Sequence, residues 1–199
     1  MPLGQLLLCL VAALPVNSDS VWQVLRQRYL GLSTLSGDFT ETITPPGSDS
    51  GTTFRGTFSF RLPSEYRLEV KTPQRQLIVG NDTTLWFYLP SEKRAVRQPA
   101  GQSIPLLVFL EPLLDSFASA TALPDSSGPL RLAVTTEDPM ASFSDFVFTL
   151  DGKNQRITAF SFTDAWSSSY TFKLSKQSWN PKLSPKVFQF VPPAGTTVE

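Results

Sequence analysis

The chain has 199 residues, with 17 basic and 17 acidic side chains, so its net charge is zero and nothing in it pulls toward nucleic acid or an anionic surface. It has no His, which removes the commonest general base and zinc ligand. Cys9 is the sole cysteine, so neither an internal disulfide nor a cysteine metal cluster can form, and with no nucleotide-binding glycine motif no cofactor is expected.

At the N-terminus an apolar run, Leu6 to Leu14, precedes the small-residue pattern Val16-Asn17-Ser18. This resembles a secretory signal, residues 1–18, cleaved after Ser18, although no Lys or Arg precedes the run. Leu8 before Cys9 does not fit a lipoprotein signal. Residues 19–199 are then expected to form a single domain.

Asp19 to Leu32 predicts a helix. Ser20 and Gln23 suit a capping box, and Trp22, Leu25, Tyr29 and Leu32 recur at helical spacing as one packing stripe. From Gly37 the period changes to two. Phe54, Phe58, Phe60 and Leu62 alternate with Arg55, Thr57, Ser59 and Arg61, and Tyr66, Leu68 and Val70 alternate with Glu65, Arg67 and Glu69. These predict half-buried antiparallel strands. Leu85 to Leu89 is apolar throughout and reads as a strand covered on both faces, with Glu92 to Gln98 as its polar partner.

Ser103 to Phe117, "SIPLLVFLEPLLDSF", is apolar at nine of fifteen positions. It is shorter than the roughly 20 residues that span a bilayer. Pro105 suits the first turn of a helix and Pro112 interrupts it, predicting two short helices hinged near Glu111. Beyond a Pro/Ser/Gly break, alternation resumes in Leu130 to Val134, Phe146 to Leu150, Phe160 and Phe162, and Tyr170 to Leu174. A last short strand is expected at Phe188 and Phe190. The sum is about nine to eleven strands in one curved antiparallel sheet, an incomplete barrel, with an N-terminal helix and a helical insertion at about 103–123. Two helical elements against the ring-rich concave face are the simplest cover, leaving either a solid core or an apolar cavity.

Several motifs carry a resemblance. "TLWFYLP" (Thr84 to Pro90) after the Gly80-Asn81-Asp82 turn, "FQFVPPAGTTVE" at the C-terminus, "GDFTETI" (Gly37 to Ile43), "SSYTFKL" (Ser168 to Leu174) and "GQSIPLLVFL" are similar, in order and spacing, to the periplasmic outer-membrane lipoprotein carrier (LolA) family. The resemblance implies an open barrel with a helical lid, and an apolar cavity for the acyl chains of lipoproteins. It implies a periplasmic shuttle, with an inner-membrane lipoprotein exporter and an outer-membrane lipoprotein receptor as partners. It brings no enzyme activity and no nucleic-acid partner, and a monomer is expected. Two positions depart from the family pattern. Leu62 stands before Pro63 where the family often has a basic residue that tethers the lid, and Glu41 stands where it tends to have Gln.

The acyl-binding residues expected on the apolar phases are Phe58, Phe60, Tyr66, Leu68, Phe148, Phe160 and Phe162, with Trp86 added from the unphased strand. The expected lid contacts are Leu106, Leu107, Phe109, Leu110 and Leu113. A lipid- or glycolipid-binding sensor of the same fold is the alternative function. A hydrolase is disfavoured, because Ser175 and Lys176 on one strand point to opposite faces.

Overall fold

The structure is a computed structural model, described over residues 18–100, 104–123, 128–138, 141, 143–152 and 156–199. The expected signal segment lies outside these residues except for Ser18. Helix α1 spans Ser18–Leu30. Its stripe of Trp22, Leu25 and Tyr29 is buried as expected, and Leu32, also buried, lies two residues beyond the helix, which ends before the expected Leu32. Ser20 falls inside the helix rather than at its cap, because the helix begins two residues earlier.

Among the described residues twelve strands follow: β1 (Thr34–Thr44), β2 (Thr52–Arg61), β3 (Glu65–Thr72), β4 (Gln76–Gly80), β5 (Thr84–Leu89), β6 (Arg94–Pro99), β7 (Ser119–Ala122), β8 (Arg131–Thr135), β9 (Ser144–Leu150), β10 (Ile157–Thr163), β11 (Ser169–Trp179) and β12 (Thr197–Val198). They form one open sheet in the order β12-β6-β5-β4-β3-β2-β1-β11-β10-β9-β8-β7. All pairs are antiparallel except β12 with β6. The first strand thus sits mid-sheet, between β2 and β11, and joins two meanders. The count exceeds nine to eleven through short edge pieces, four residues in β7 and two in β12.

Alternation sets one apolar face. Leu35 and Phe39 of β1, Phe58 and Phe60 of β2, Phe146 and Phe148 of β9, Phe160 and Phe162 of β10 and Phe172 of β11 all enter one core cluster. On β10 and β11 the rings lie nearly parallel: Phe160 and Phe172 are 4.5 Å apart at 12°, Phe162 and Tyr170 4.9 Å at 4°. Offset parallel rings add attraction beyond burial, about 0.5–1.5 kcal/mol per pair. Gly80 is required by this packing, because a Cβ there would fall inside the Tyr66 ring.

The C-terminal segment differs from its expected form. Pro185–Phe188 is a 3-10 turn whose start is capped by Ser184 Oγ accepting from Lys186 N. Phe190 lies beyond it without strand pairing, and the terminal strand is instead Thr197–Val198. Proline at the first helical position pre-sets the turn and has no N–H for a ladder, which overrides the alternation of Phe188 and Phe190.

Candidate functional site

The expected lid is two consecutive short helices, a 3-10 helix Pro105–Leu110 and then α2, Glu111–Leu114. Pro105 and Pro112 each occupy a first turn, so each starts a helix without losing a bond. The break at Glu111 falls where the prolines place it. Ser103 lies outside the described residues. The end of the expected insertion, Ser119–Ala122, is strand β7, because Ala118 and Ala120 alternate into the core.

The lid enters the concave face. Phe109 is fully buried, its ring 6.1 Å from Tyr29, 6.1 Å from Phe60 and 5.4 Å from Phe160. Leu106 and Leu113 are buried beside it, and Leu107 and Leu110 pack against the same cluster half-covered. Val108, not among the expected contacts, is buried as well. Phe58, Phe60, Tyr66, Leu68, Phe148, Phe160 and Phe162 all line the face that the lid covers, none more than 8% exposed. The conformation is therefore closed, with lid side chains filling the space between sheet and α1.

Trp86 does not join them. It pairs with Val79 on β4 and Arg97 on β6, on the opposite, convex face. There its ring lies 5.4 Å from Phe190, and Tyr88 lies 5.2 Å from the same ring. The run Leu85 to Leu89 is covered on both faces, the second cover being the C-terminal segment. A strand without alternation carries no phase, so its sequence does not fix the side that Trp86 takes.

Hydrogen bonds fasten the lid and its exit. Trp22 Nε1 donates to the carbonyl of Ala118 at 3.1 Å, and Arg26 Nε donates to the carbonyl of Leu113 at 3.1 Å. Thr136 Oγ1 donates to the Asp115 carboxylate. Arg26 also lies 5.9 Å from the Trp22 ring centre. The guanidinium that holds the lid thus comes from α1, an arrangement with no signal in the sequence. Leu62, by contrast, packs at the core edge, and Arg61 turns to the other face as alternation requires. There Arg61 pairs with Glu65 at 2.7 Å, donates to Leu183 O and covers Phe188.

Two clefts flank Leu62 and Pro63. One of about 250 Å³ lies between them and Tyr29, Leu110 and Leu113; the other, about 320 Å³, reaches Phe60, Tyr66 and Leu107. Leu114, exposed over 61% of its surface, borders both. They open beside the lid's second helix and lead toward the rings beneath it.

Burial raises the pKa of several ionisable groups of this face, Tyr66 among them. The Tyr29 phenol accepts from the Ile157 amide at 3.1 Å, and burial drives its pKa well above the usual tyrosine range. Burial pushes the Glu41 carboxyl up to about 7. Among the described residues no cluster of three or more His, Cys, Asp or Glu is placed to hold a metal.

Residues 31–191 match the family model described as outer membrane lipoprotein carrier protein LolA. An outer-membrane lipoprotein carrier protein of Methylibium petroleiphilum is 26% identical over 194 residues, covering 96% of this chain and 94% of its own length. One from Chromobacterium violaceum is 29% identical over 192 residues, covering 94% and 90%. An uncharacterized conserved protein from Thermus thermophilus superposes with a TM-score of 0.56 at 12% identity, covering 89% of this chain and 97% of that one, which is a likeness of fold.

Proposed function

The chain belongs to the outer membrane lipoprotein carrier protein family, LolA, and on that premise we propose that it is a periplasmic carrier. It takes the acyl chains of lipoproteins onto its concave face and carries them from the inner to the outer membrane. Its partners are acylated lipoproteins, an inner-membrane exporter that loads it and an outer-membrane receptor that unloads it. It acts as a monomer, by binding rather than by catalysis. Residues 1–18 direct export and residues 19–199 make up the carrier.

The observation that carries this reading is Phe109, buried among Tyr29, Phe60 and Phe160 on a segment tied to α1 through side-chain donors. An acyl chain and the lid's apolar side chains compete for the same rings. Burying Leu106, Val108, Phe109 and Leu113 is worth about 1.5–3 kcal/mol each, so roughly 6–12 kcal/mol holds the lid down. A chain of about 16 carbons gains on the order of 12 kcal/mol at about 0.8 kcal/mol per CH₂. The two are of similar size, so an acyl chain can displace the lid and still be released. No nucleotide motif is present in the sequence, so loading draws its energy from the exporter.

Depletion of the protein in its own bacterium tests the proposal. Lipoproteins destined for the outer membrane should accumulate at the inner membrane and return when the protein is restored. Unchanged sorting would end the carrier reading, and a ligand-binding role without transport would remain.

A further inference from the structure

The concave face is not wholly apolar. Alternation along β1 puts Glu41 on the same face as Leu35 and Phe39. Its cross-strand neighbours are Phe54 on β2 and Phe172 on β11, both ring-bearing. Arg55 and Lys173 stand opposite Thr40 instead, so their side chains project from the other face. The remaining ionisable group near Glu41 is Tyr170, whose phenol is engaged by Asp164. Among the described residues Glu41 makes no hydrogen bond or ion pair. A carboxyl half-withdrawn from water, without a partner, among aromatic rings, costs free energy unless something else supplies a donor.

Its position gives that cost a use. The register runs Leu35↔Phe60, Gly37↔Phe58, Phe39↔Gly56 and Glu41↔Phe54. Phe109 lies 6.1 Å from Phe60 and 5.4 Å from Phe160, whose strand partner Phe172 stands opposite Glu41, so the row that ends in Glu41 begins beneath the lid. Along β1 itself Glu41 lies six residues beyond Leu35, about 20 Å at strand rise. At that end Ile43, Phe54 and Tyr170 are only partly buried. The face is therefore a trough, covered by the lid at one end and more open at the other, with one carboxyl at the open end.

Resting on the acyl-binding reading above, we propose that Glu41 binds the polar end of the cargo, accepting a hydrogen bond from an N–H group, ammonium or amide, while the chain runs beneath the lid. A carboxylate gives such a donor a charge-assisted bond, and the faces of Phe54, Phe172 and Tyr170 favour positive charge beside them. Burial already holds this carboxyl near half-ionised at neutral pH, and a donor arriving there would draw it to the ionised form. A carboxylate head group would be repelled.

Calorimetric titration with dodecylamine, N-dodecylacetamide and dodecanoate, at about pH 8 where Glu41 is ionised, tests this on the whole protein and on Glu41→Gln and Glu41→Leu. The unaltered protein should bind dodecylamine about tenfold more tightly than dodecanoate. The acetamide separates an amide from an ammonium as the preferred donor. Glu41→Gln should lose the ammonium preference, and Glu41→Leu should bind all three within a factor of about 3. The same ranking in Glu41→Leu, or equal binding of all three by the unaltered protein, overturns the role of Glu41 and leaves the carrier reading standing. Binding of none overturns both.

Discussion

Both faces of this sheet carry aromatic rings under a separate piece of chain, yet the two covers are fastened in different ways. On the convex face Trp86 and Tyr88 lie under Phe190, and the segment bearing it ends in main-chain pairing with β6. Thr197 N donates to Lys93 O, Glu199 N to Ala95 O and Arg97 N to Glu199 O, all at 2.8–3.0 Å. Glu199 adds a two-bond ion pair with Arg94. On the concave face the lid makes its main-chain bonds within itself, Leu107 N to Ile104 O and Asp115 N to Glu111 O. It reaches the rest of the protein through side chains. Apolar burial attracts both covers without direction. The ladder makes one a part of the sheet, and the other, on the reading proposed above, is the cover an acyl chain displaces.

The largest expected effect falls on the rings beneath the lid. Phe160→Ala, at a site stacked on Phe172 and touching Phe109, should cost about 3–5 kcal/mol of stability in denaturant titration. It should weaken acyl binding as well. Phe190→Ala should lower stability less and leave acyl binding alone. If Phe190→Ala weakened binding as much, the distinction between the faces would fail.

Glu41 gives the next effect. Its carboxyl binds protons more tightly folded, at about 7, than at the ordinary 4.5. Stability from that uptake is therefore full below about pH 4.5 and is lost as pH rises through about 7. Relative to Glu41→Gln, the unaltered protein should lose about 2–3 kcal/mol between those limits. Melting curves of the pair at acid and neutral-to-alkaline pH would show it, and parallel curves would place Glu41 in water.

Arg26→Ala removes the donor to Leu113 O, a charged hydrogen bond worth about 1.5–3 kcal/mol. Part of that should appear as a looser lid. Exchange of the Leu107 and Asp115 amides should quicken, and an acyl ligand should bind several-fold more tightly because its competitor is weaker. Glu199→Gln should have the smallest effect. Its ion pair is exposed, and the main-chain bonds of β12 persist, so exchange should rise only at the last residues.

Much of this is legible in the chain. Period-two runs place Phe58, Phe60, Phe148, Phe160 and Phe162 on one face, because half-buried strands must alternate. Pro105 and Pro112 mark the two lid helices, because proline suits a first turn. What resists reading depends on distant partners. The side taken by Trp86 is decided by Phe190, more than 100 residues away, and a strand covered on both faces has no phase to read. Arg26 reads as one polar residue on a surface helix, and its hydrogen bond to Leu113 spans 87 positions. The turn at Pro185 is written in its own local chemistry, a proline behind a capping serine, which outweighs the alternation that follows it.

The central claim is that the lid and an acyl chain compete for the concave rings while the C-terminal cover stays in place. Hydrogen exchange at Leu107, Asp115, Thr197 and Glu199, with and without a saturating long-chain acyl ligand, tests it directly. Ligand should speed exchange at Leu107 and Asp115 and leave Thr197 and Glu199 unchanged. Slower exchange in the lid, or equal change at both covers, would contradict it.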